Sequence, residues 1–163
     1  MGVEAILRQV RSYPTRHVTV TGGEPLAQKA CHVLLGALCD AGCDVSLETS
    51  GALDIAGVDR RVSRIVDLKT PASGEVERNF WPNLQALSTL DEVKFVLADE
   101  ADYLWAKQML REHRIEQRCP VLFSPVWGQI APAQLAEWIL RDGLPVRMQV
   151  QLHKLLWQEA KGR

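Results

Sequence analysis

His17-Val18-Thr19-Val20-Thr21-Gly22-Gly23-Glu24-Pro25-Leu26 is the stretch on which the fold turns. It begins as a β-branched run, which suits a buried strand. A double glycine stops the run, and a carboxylate and a proline follow. An apolar helical pattern starts beyond Pro25, and proline is well tolerated in the first turn of a helix. The segment therefore reads strand, tight turn, helix. A glycine pair at such a turn lets the backbone come within contact distance of a small ligand. Glu24 stands beside it, able to receive an ammonium or hydroxyl group. An ordinary βα turn explains a glycine pair alone; the Glu-Pro that follows points to a site.

The same alternation runs through the rest of the chain. Val3, Ile6, Leu7 and Val10 recur at helical spacing and predict a helix over residues 3–12. Leu26, Ala30, Val33, Leu34, Ala37, Leu38 and Ala41 mark one face of a second helix that Gly42 closes. Strands are expected at residues 45–48, 63–68, 92–97, 120–123 and 147–151. A short helix is expected at residues 58–61, and residues 72–84 read as a loop. Asp99 can cap a helix whose Ala101, Leu104, Trp105 and Met109 share a face. Pro132 opens another, carrying Leu135, Trp138 and Ile139 and stopped by Gly143. Strands alternating with helices imply an α/β fold with parallel pairing and right-handed crossovers. Polar residues gather after the strands, at Thr21 to Glu24, Glu48 to Ser50, Lys69, Asp99, Ser124 and His153. In parallel α/β folds ligands bind at the carboxyl ends of the strands, so one site at one rim is expected.

Composition bounds the function. The chain has 163 residues, 47% of them apolar, enough for one domain with a sizeable core. A net charge of −1 gives no footprint for nucleic acid. No apolar run approaches the roughly 20 residues a membrane helix needs, and the first residues do not read as a signal peptide. The expected location is the cytoplasm, where the four cysteines stay reduced.

No Gly-x-Gly-x-x-Gly and no phosphate-binding Gly-rich loop with Lys-Ser/Thr is present. Cys31 and Cys39 lie eight residues apart on one expected helix, about 12 Å at the helical rise, too far for ligands of one cluster. Cys31, Cys39, Cys43 and Cys119 therefore read as small apolar residues. His32 falls on the polar side of its helix, and His113 near a helix C-terminus, where it can offset the dipole. His153 follows the last strand at the rim. Trp105 and Trp138 fit helix core faces, and Trp127 could pack on a flat ring at the rim.

Thr-Gly-Gly-Glu-Pro after a strand resembles the radical S-adenosylmethionine (SAM) superfamily, in which this turn holds the methionine end of SAM. More of the chain is similar to one family, the 7-carboxy-7-deazaguanine synthases of queuosine biosynthesis. The similarity runs through Val18 to Leu26, Leu47-Glu48-Thr49-Ser50-Gly51, Asp67-Leu68-Lys69-Thr70-Pro71, Ser73-Gly74-Glu75 and Asn79-Phe80. It continues through Asp91 to Leu97, Asp102-Tyr103, Trp105-Ala106, Phe123-Ser124-Pro125-Val126 and Gln151-Leu152-His153-Lys154. The resemblance implies one radical SAM-type domain over residues 1–163, a partial (β/α) barrel. It implies a [4Fe-4S] cluster that reduces SAM, Mg²⁺, and a 6-carboxy-5,6,7,8-tetrahydropterin substrate converted to 7-carboxy-7-deazaguanine with loss of ammonia. An electron donor such as flavodoxin or ferredoxin and a homodimer are implied too. Carried over position by position, Gly22, Gly23 and Glu24, Glu48 and Ser50, Asp67, Leu68 and Lys69, and Phe123, Ser124, Pro125 and Val126 are expected around SAM. Thr21 and His153 are expected on the substrate side.

Two departures qualify the likeness. The family's three cluster cysteines lie upstream of the Gly-Gly-Glu-Pro turn, whereas here no cysteine precedes Thr21 and the first is Cys31. The chain thus reads as a family member lacking its amino-terminal part, with the edge of the strand at residues 18–20 open to association. In some members the chain ends soon after the His-Lys pair and its terminal carboxylate touches substrate; here residues 155–163 follow. The competing readings are a cluster-less binding module of the same fold and another radical SAM enzyme such as a glycyl-radical activase.

Overall fold

In the computed structural model, residues 1–157 are described, apart from the side chain of His153. The six strands β1 (His17–Val20), β2 (Asp44–Thr49), β3 (Ser63–Leu68), β4 (Glu92–Leu97), β5 (Val121–Pro125) and β6 (Arg147–Met148) form one sheet. Every neighbouring pair is parallel, and the spatial order is the sequence order. That order has a consequence. Crossovers between parallel strands are right-handed, so a sheet whose order never reverses keeps its helices on one face. A doubly wound sheet instead reverses at a switch point and is covered on both sides.

The burial confirms one covered face. Along β3 and β4 every second residue is buried and the residues between are half-exposed. Val45, Leu47, Val66, Leu68, Val93, Phe95, Leu97 and Phe123 form the covered side. Helices α1 (Val3–Val10), α2 (Cys31–Asp40), α3 (Asn83–Ala86), α4 (Glu100–His113) and α5 (Pro132–Asp142) complete the core through Leu7, Leu35, Leu38, Leu84, Tyr103, Ala106, Leu135 and Trp138. Each fully buried large apolar side chain contributes about 1.5–3 kcal/mol relative to exposure. Phe123 lies edge-on to both Phe95 and Tyr103, with centroids 5.6 and 6.0 Å away. The short helix α6 (Leu152–Trp157) follows β6. Strand β1 forms one edge of the sheet among the described residues.

Beneath the covered face, at the amino ends of the strands, Arg64 donates from its backbone N–H and its guanidinium to the fully buried carboxylate of Asp91. The same guanidinium reaches the carbonyls of Ile55 and Ala86. Burial pushes the Asp91 carboxyl up, but the hydrogen bonds from Arg64 and Ser88 outweigh it and hold it below the usual carboxylate range.

Several expectations are corrected. Pro25 opens a single 3₁₀ turn, Pro25–Ala27, and α2 starts only at Cys31. The face of α2 that is buried is Cys31, Leu35 and Leu38, while Val33 is exposed. Starting at Cys31 aligns positions 31, 35 and 38 at helical spacing toward the sheet. Residues 58–61 form turns rather than a helix. There the Asp59 carboxylate accepts from the backbone N–H and the guanidinium of Arg61, a local bond that competes with helix. Residues 72–84 are not wholly irregular; they contain the 3₁₀ turn Val76–Arg78 and the start of α3. The buried face of α4 is Asp102, Tyr103, Ala106, Met109 and Leu110, and Leu104 is exposed. The last strand is limited to two residues.

Candidate functional site

The site is built where β1, β2 and β3 end. Gly22 and Gly23 have φ of 103° and 56°, values that favour glycine, so the chain reverses after β1 without strain. Glu24 then turns its carboxylate inward. It accepts from the backbone N–H of Leu26 at 3.1 Å, the hydroxyl of Thr49 at 2.9 Å, the backbone N–H of Ser50 at 2.8 Å and the Ser50 hydroxyl. Burial pushes the Glu24 carboxyl up, but these donors outweigh it and hold it below its ordinary range. Both oxygens are thus engaged within the protein. Glu24 staples the glycine turn to the end of β2.

The cleft beside this staple has a volume of about 110 Å³ and is lined by Thr21, Gly23, Glu48, Thr49, Ser50, Ile65, Asp67, Lys69 and Lys94. The Thr21 hydroxyl donates to Glu48 at 3.1 Å, joining the ends of β1 and β2. The Lys69 ammonium donates to Asp67 Oδ2 at 2.7 Å. Lys69 is itself fixed from behind, since its N–H donates to Asn79 Oδ1 and its carbonyl accepts from Asn79 Nδ2, at 2.8 and 2.9 Å. Oδ1 of Asp67 is buried and has no partner among the described residues. A buried acceptor left open costs free energy unless something donates to it.

A second cleft adjoins the first through Asp67 and Lys69 and extends along Leu68, Thr70, Val96, Asp99, Val126 and Gln129. Its wall is rigid. The buried carboxylate of Asp102 accepts from the Thr70 hydroxyl at 2.9 Å and from the N–H groups of Ala72 and Ala98, both at 3.0 Å. Asp99 caps α4 by accepting from the Asp102 N–H at 2.8 Å. Gly51, after β2, packs against the covered face. Its φ is +72°, and a Cβ there would stand 2.9 Å from Val66 Cγ1.

Of the residues expected at the site, Thr21, Gly23, Glu48, Ser50, Asp67 and Lys69 share the first cleft, and Leu68 and Val126 line the second. Gly22 lines a separate apolar hollow beside α1 and α2. Phe123, Ser124 and Pro125 are buried, with the Phe123 ring in the core on the covered face. The backbone of His153 belongs to α6, and its side chain lies outside the described residues. Thr49 falls within the Glu48 to Ser50 cluster expected at the rim, whereas Ile65, Asn79 and Lys94 were not among the expected site residues. Ile65 and Lys94 carry a signal that was there to use: they alternate with the apolar residues of β3 and β4, so they share the open face with Asp67.

The donor set does not fit an iron–sulfur cluster. Cys31 and Cys39 stand at opposite ends of α2, Cys43 follows that helix, and Cys119 precedes β5. Burial raises the thiols of Cys31 and Cys39 and pushes Cys119 up to about 11, against the thiolate form a metal requires. Among the described residues no three His, Cys, Asp or Glu side chains converge to hold a metal ion. Among the described residues no such group is available to Mg²⁺ either.

Comparison with known proteins agrees with the fold and extends it. No protein-family model matches the chain. The 7-carboxy-7-deazaguanine synthase of Chlorobaculum tepidum is 48% identical over 99% of this chain and 76% of its own length. That of Koribacter versatilis is 39% identical over 99% of this chain and 79% of its own length. In crystal structures, QueE from Escherichia coli superposes with a TM-score of 0.72 at 20% identity, over 93% of this chain and 64% of that one. Streptococcus suis SuiB bound to S-adenosylmethionine superposes with a TM-score of 0.59 at 12% identity, over 91% of this chain and 40% of that one. The expected partial barrel of radical SAM type is the observed architecture. At this identity and coverage the chain belongs to the 7-carboxy-7-deazaguanine synthase family.

Proposed function

We propose that this chain holds SAM along the two adjoining clefts, with the methionine end at the Gly22–Gly23 turn and the adenosine end toward Val126. The observation that carries this is the sharing of Asp67 and Lys69 between both clefts, at the carboxyl ends of the strands. The residue types suit the ligand. The turn backbone, Glu48 and Ser50 offer acceptors to the ammonium, and Lys69 offers a cation to the carboxylate. Glu24 acts through the turn it holds. When bound, SAM supplies the adenosyl group that takes a hydrogen atom from the substrate in this family's chemistry. The substrate is a carboxylated reduced pterin, with Thr21 and His153 on its side.

The full reaction also calls for a [4Fe-4S] cluster, Mg²⁺ and an electron donor of the flavodoxin or ferredoxin kind, in the cytoplasm and in a homodimer. Among the described residues the donors such a cluster or Mg²⁺ would need are not brought together. The scattered cysteines favour a second reading for the chain taken alone: one radical SAM-type domain, residues 1–163, that binds SAM without cleaving it. Calorimetry with SAM tests the binding, expected for the wild type and weakened in Lys69→Met. No heat of binding from folded protein sinks the site. Anaerobic incubation of this chain with iron, sulfide, reductant and SAM is expected to yield no 5′-deoxyadenosine, and its formation refutes the second reading.

A further inference from the structure

Beyond Asp44 at the start of β2, the open face of the sheet carries three carboxylates among the described residues, and each already has a partner. Glu48 accepts from Thr21 at 3.1 Å, Asp67 pairs with Lys69 at 2.7 Å, and Glu92 pairs with Arg147 at 3.3 Å. Lys94 stands among them on β4, in register with Asp67 on β3 and two residues beyond Glu92 on the same face. It is half-buried, it lines the first cleft, and among the described residues no carboxylate lies within ion-pairing distance of it. A cation in such a place is tolerated while the cleft is wet. When a flat ligand displaces the water, the charge must be met by an anion or its burial becomes costly.

We propose that Lys94 is the residue that selects the carboxylate of the ring on which this family acts, a reading that rests on the SAM assignment above. The product named for the relatives, 7-carboxy-7-deazaguanine, is a flat bicycle with one carboxylate. Ile65 gives the ring an apolar floor between the polar positions of β2 and β4. Asp67 Oδ1, without a partner among the described residues, supplies an acceptor in register with the Lys94 ammonium. A ring that carries an N–H donor and a carboxylate meets both. Lys69, held against Asp67 at the rim, is left to the carboxylate of SAM.

Titration calorimetry on the full chain separates the two cations, with 7-carboxy-7-deazaguanine, 7-deazaguanine and SAM as ligands. In Lys94→Gln the affinity for the carboxylated ring should fall about ten- to hundredfold, the usual loss for a charged hydrogen bond. Its affinities for 7-deazaguanine and for SAM should stay within about twofold of wild type, as expected for ligands that do not touch the ammonium. Lys94→Arg, which keeps the charge, should restore most of the loss. Equal loss for both rings, no loss for either, or a loss for SAM instead overturns the proposal. A wild-type chain that binds SAM but does not prefer the carboxylated ring overturns this proposal alone. One that binds neither overturns the SAM site with it.

Discussion

Along β2, β3 and β4, residues 45, 47, 66, 68, 93, 95 and 97 lie against the helices and are buried. Residues 46, 48, 65, 67, 92, 94 and 96 alternate with them and stay half-exposed or exposed on the open face. The same strands thus carry two surfaces with different duties. Parallel sheets are usually apolar on both faces because both are covered. Here Ser46, Glu48, Asp67, Glu92 and Lys94 occupy one face, and a face so polar is suited to a ligand rather than to a second helical layer. Stability and binding are separable residue by residue, because successive strand residues point to opposite sides.

The sharpest break between the faces should come from Phe123. Phe123→Ala removes a ring wedged between Phe95 and Tyr103 and should cost about 3–5 kcal/mol, read from denaturant unfolding. A cost below about 1 kcal/mol, the size of a methyl-scale change, contradicts the core assignment. Asp91→Ala comes next. It leaves the Arg64 guanidinium buried without its carboxylate and should cost about 3–5 kcal/mol, with recovery when Arg64 is replaced by Met in the same chain. Neither change touches the clefts, so SAM affinity of the folded fraction should be unaltered.

Glu24 belongs to both surfaces and gives a smaller, mixed effect. Glu24→Gln replaces a saturated carboxylate and should lower stability by about 1–3 kcal/mol while weakening SAM, seen in parallel melting and calorimetry. The carboxyls of Glu24 and Asp91 sit below their ordinary 4.5 and 3.8 in the folded chain. A depressed folded value gives stability that is present above the unfolded value and lost as pH falls through the folded one. Wild-type stability should therefore decline as pH drops below these ordinary values, and Glu24→Gln should flatten that decline. Smallest in stability is Lys69→Met at the rim, expected within about 0.5 kcal/mol of wild type. Its SAM affinity should nonetheless fall about tenfold, as for loss of a charge-assisted contact. A melting shift as large as that of Phe123→Ala would erase the distinction between the faces.

Much of this was legible in the chain. The strands β3 and β4 and the helix α5 with its Gly143 stop were read at their bounds, since alternation and terminators are local signals. The start of α2 was not legible. Glu24 is drawn to Thr49 and Ser50, distant in sequence, and that bond holds a 3₁₀ turn where periodicity suggested helix. The buried face of α4 was misread for a related reason. Asp102, a charged residue, takes a core position because Thr70, Ala72 and Ala98 satisfy it there. Hydrophobic spacing cannot see a buried carboxylate whose donors come from other elements.

The sequence by itself determined an alternating α/β chain, the glycine turn that ends β1, and the likeness that placed it in its family. Local propensity and short-range spacing suffice for those. Only the tertiary structure decided that Glu24 is spent on the fold, that Phe123 lies on the covered face, and that Lys94 stands opposite Asp67 in an open cleft. Those facts depend on strand register and sheet curl, which are set by contacts between residues far apart in the chain.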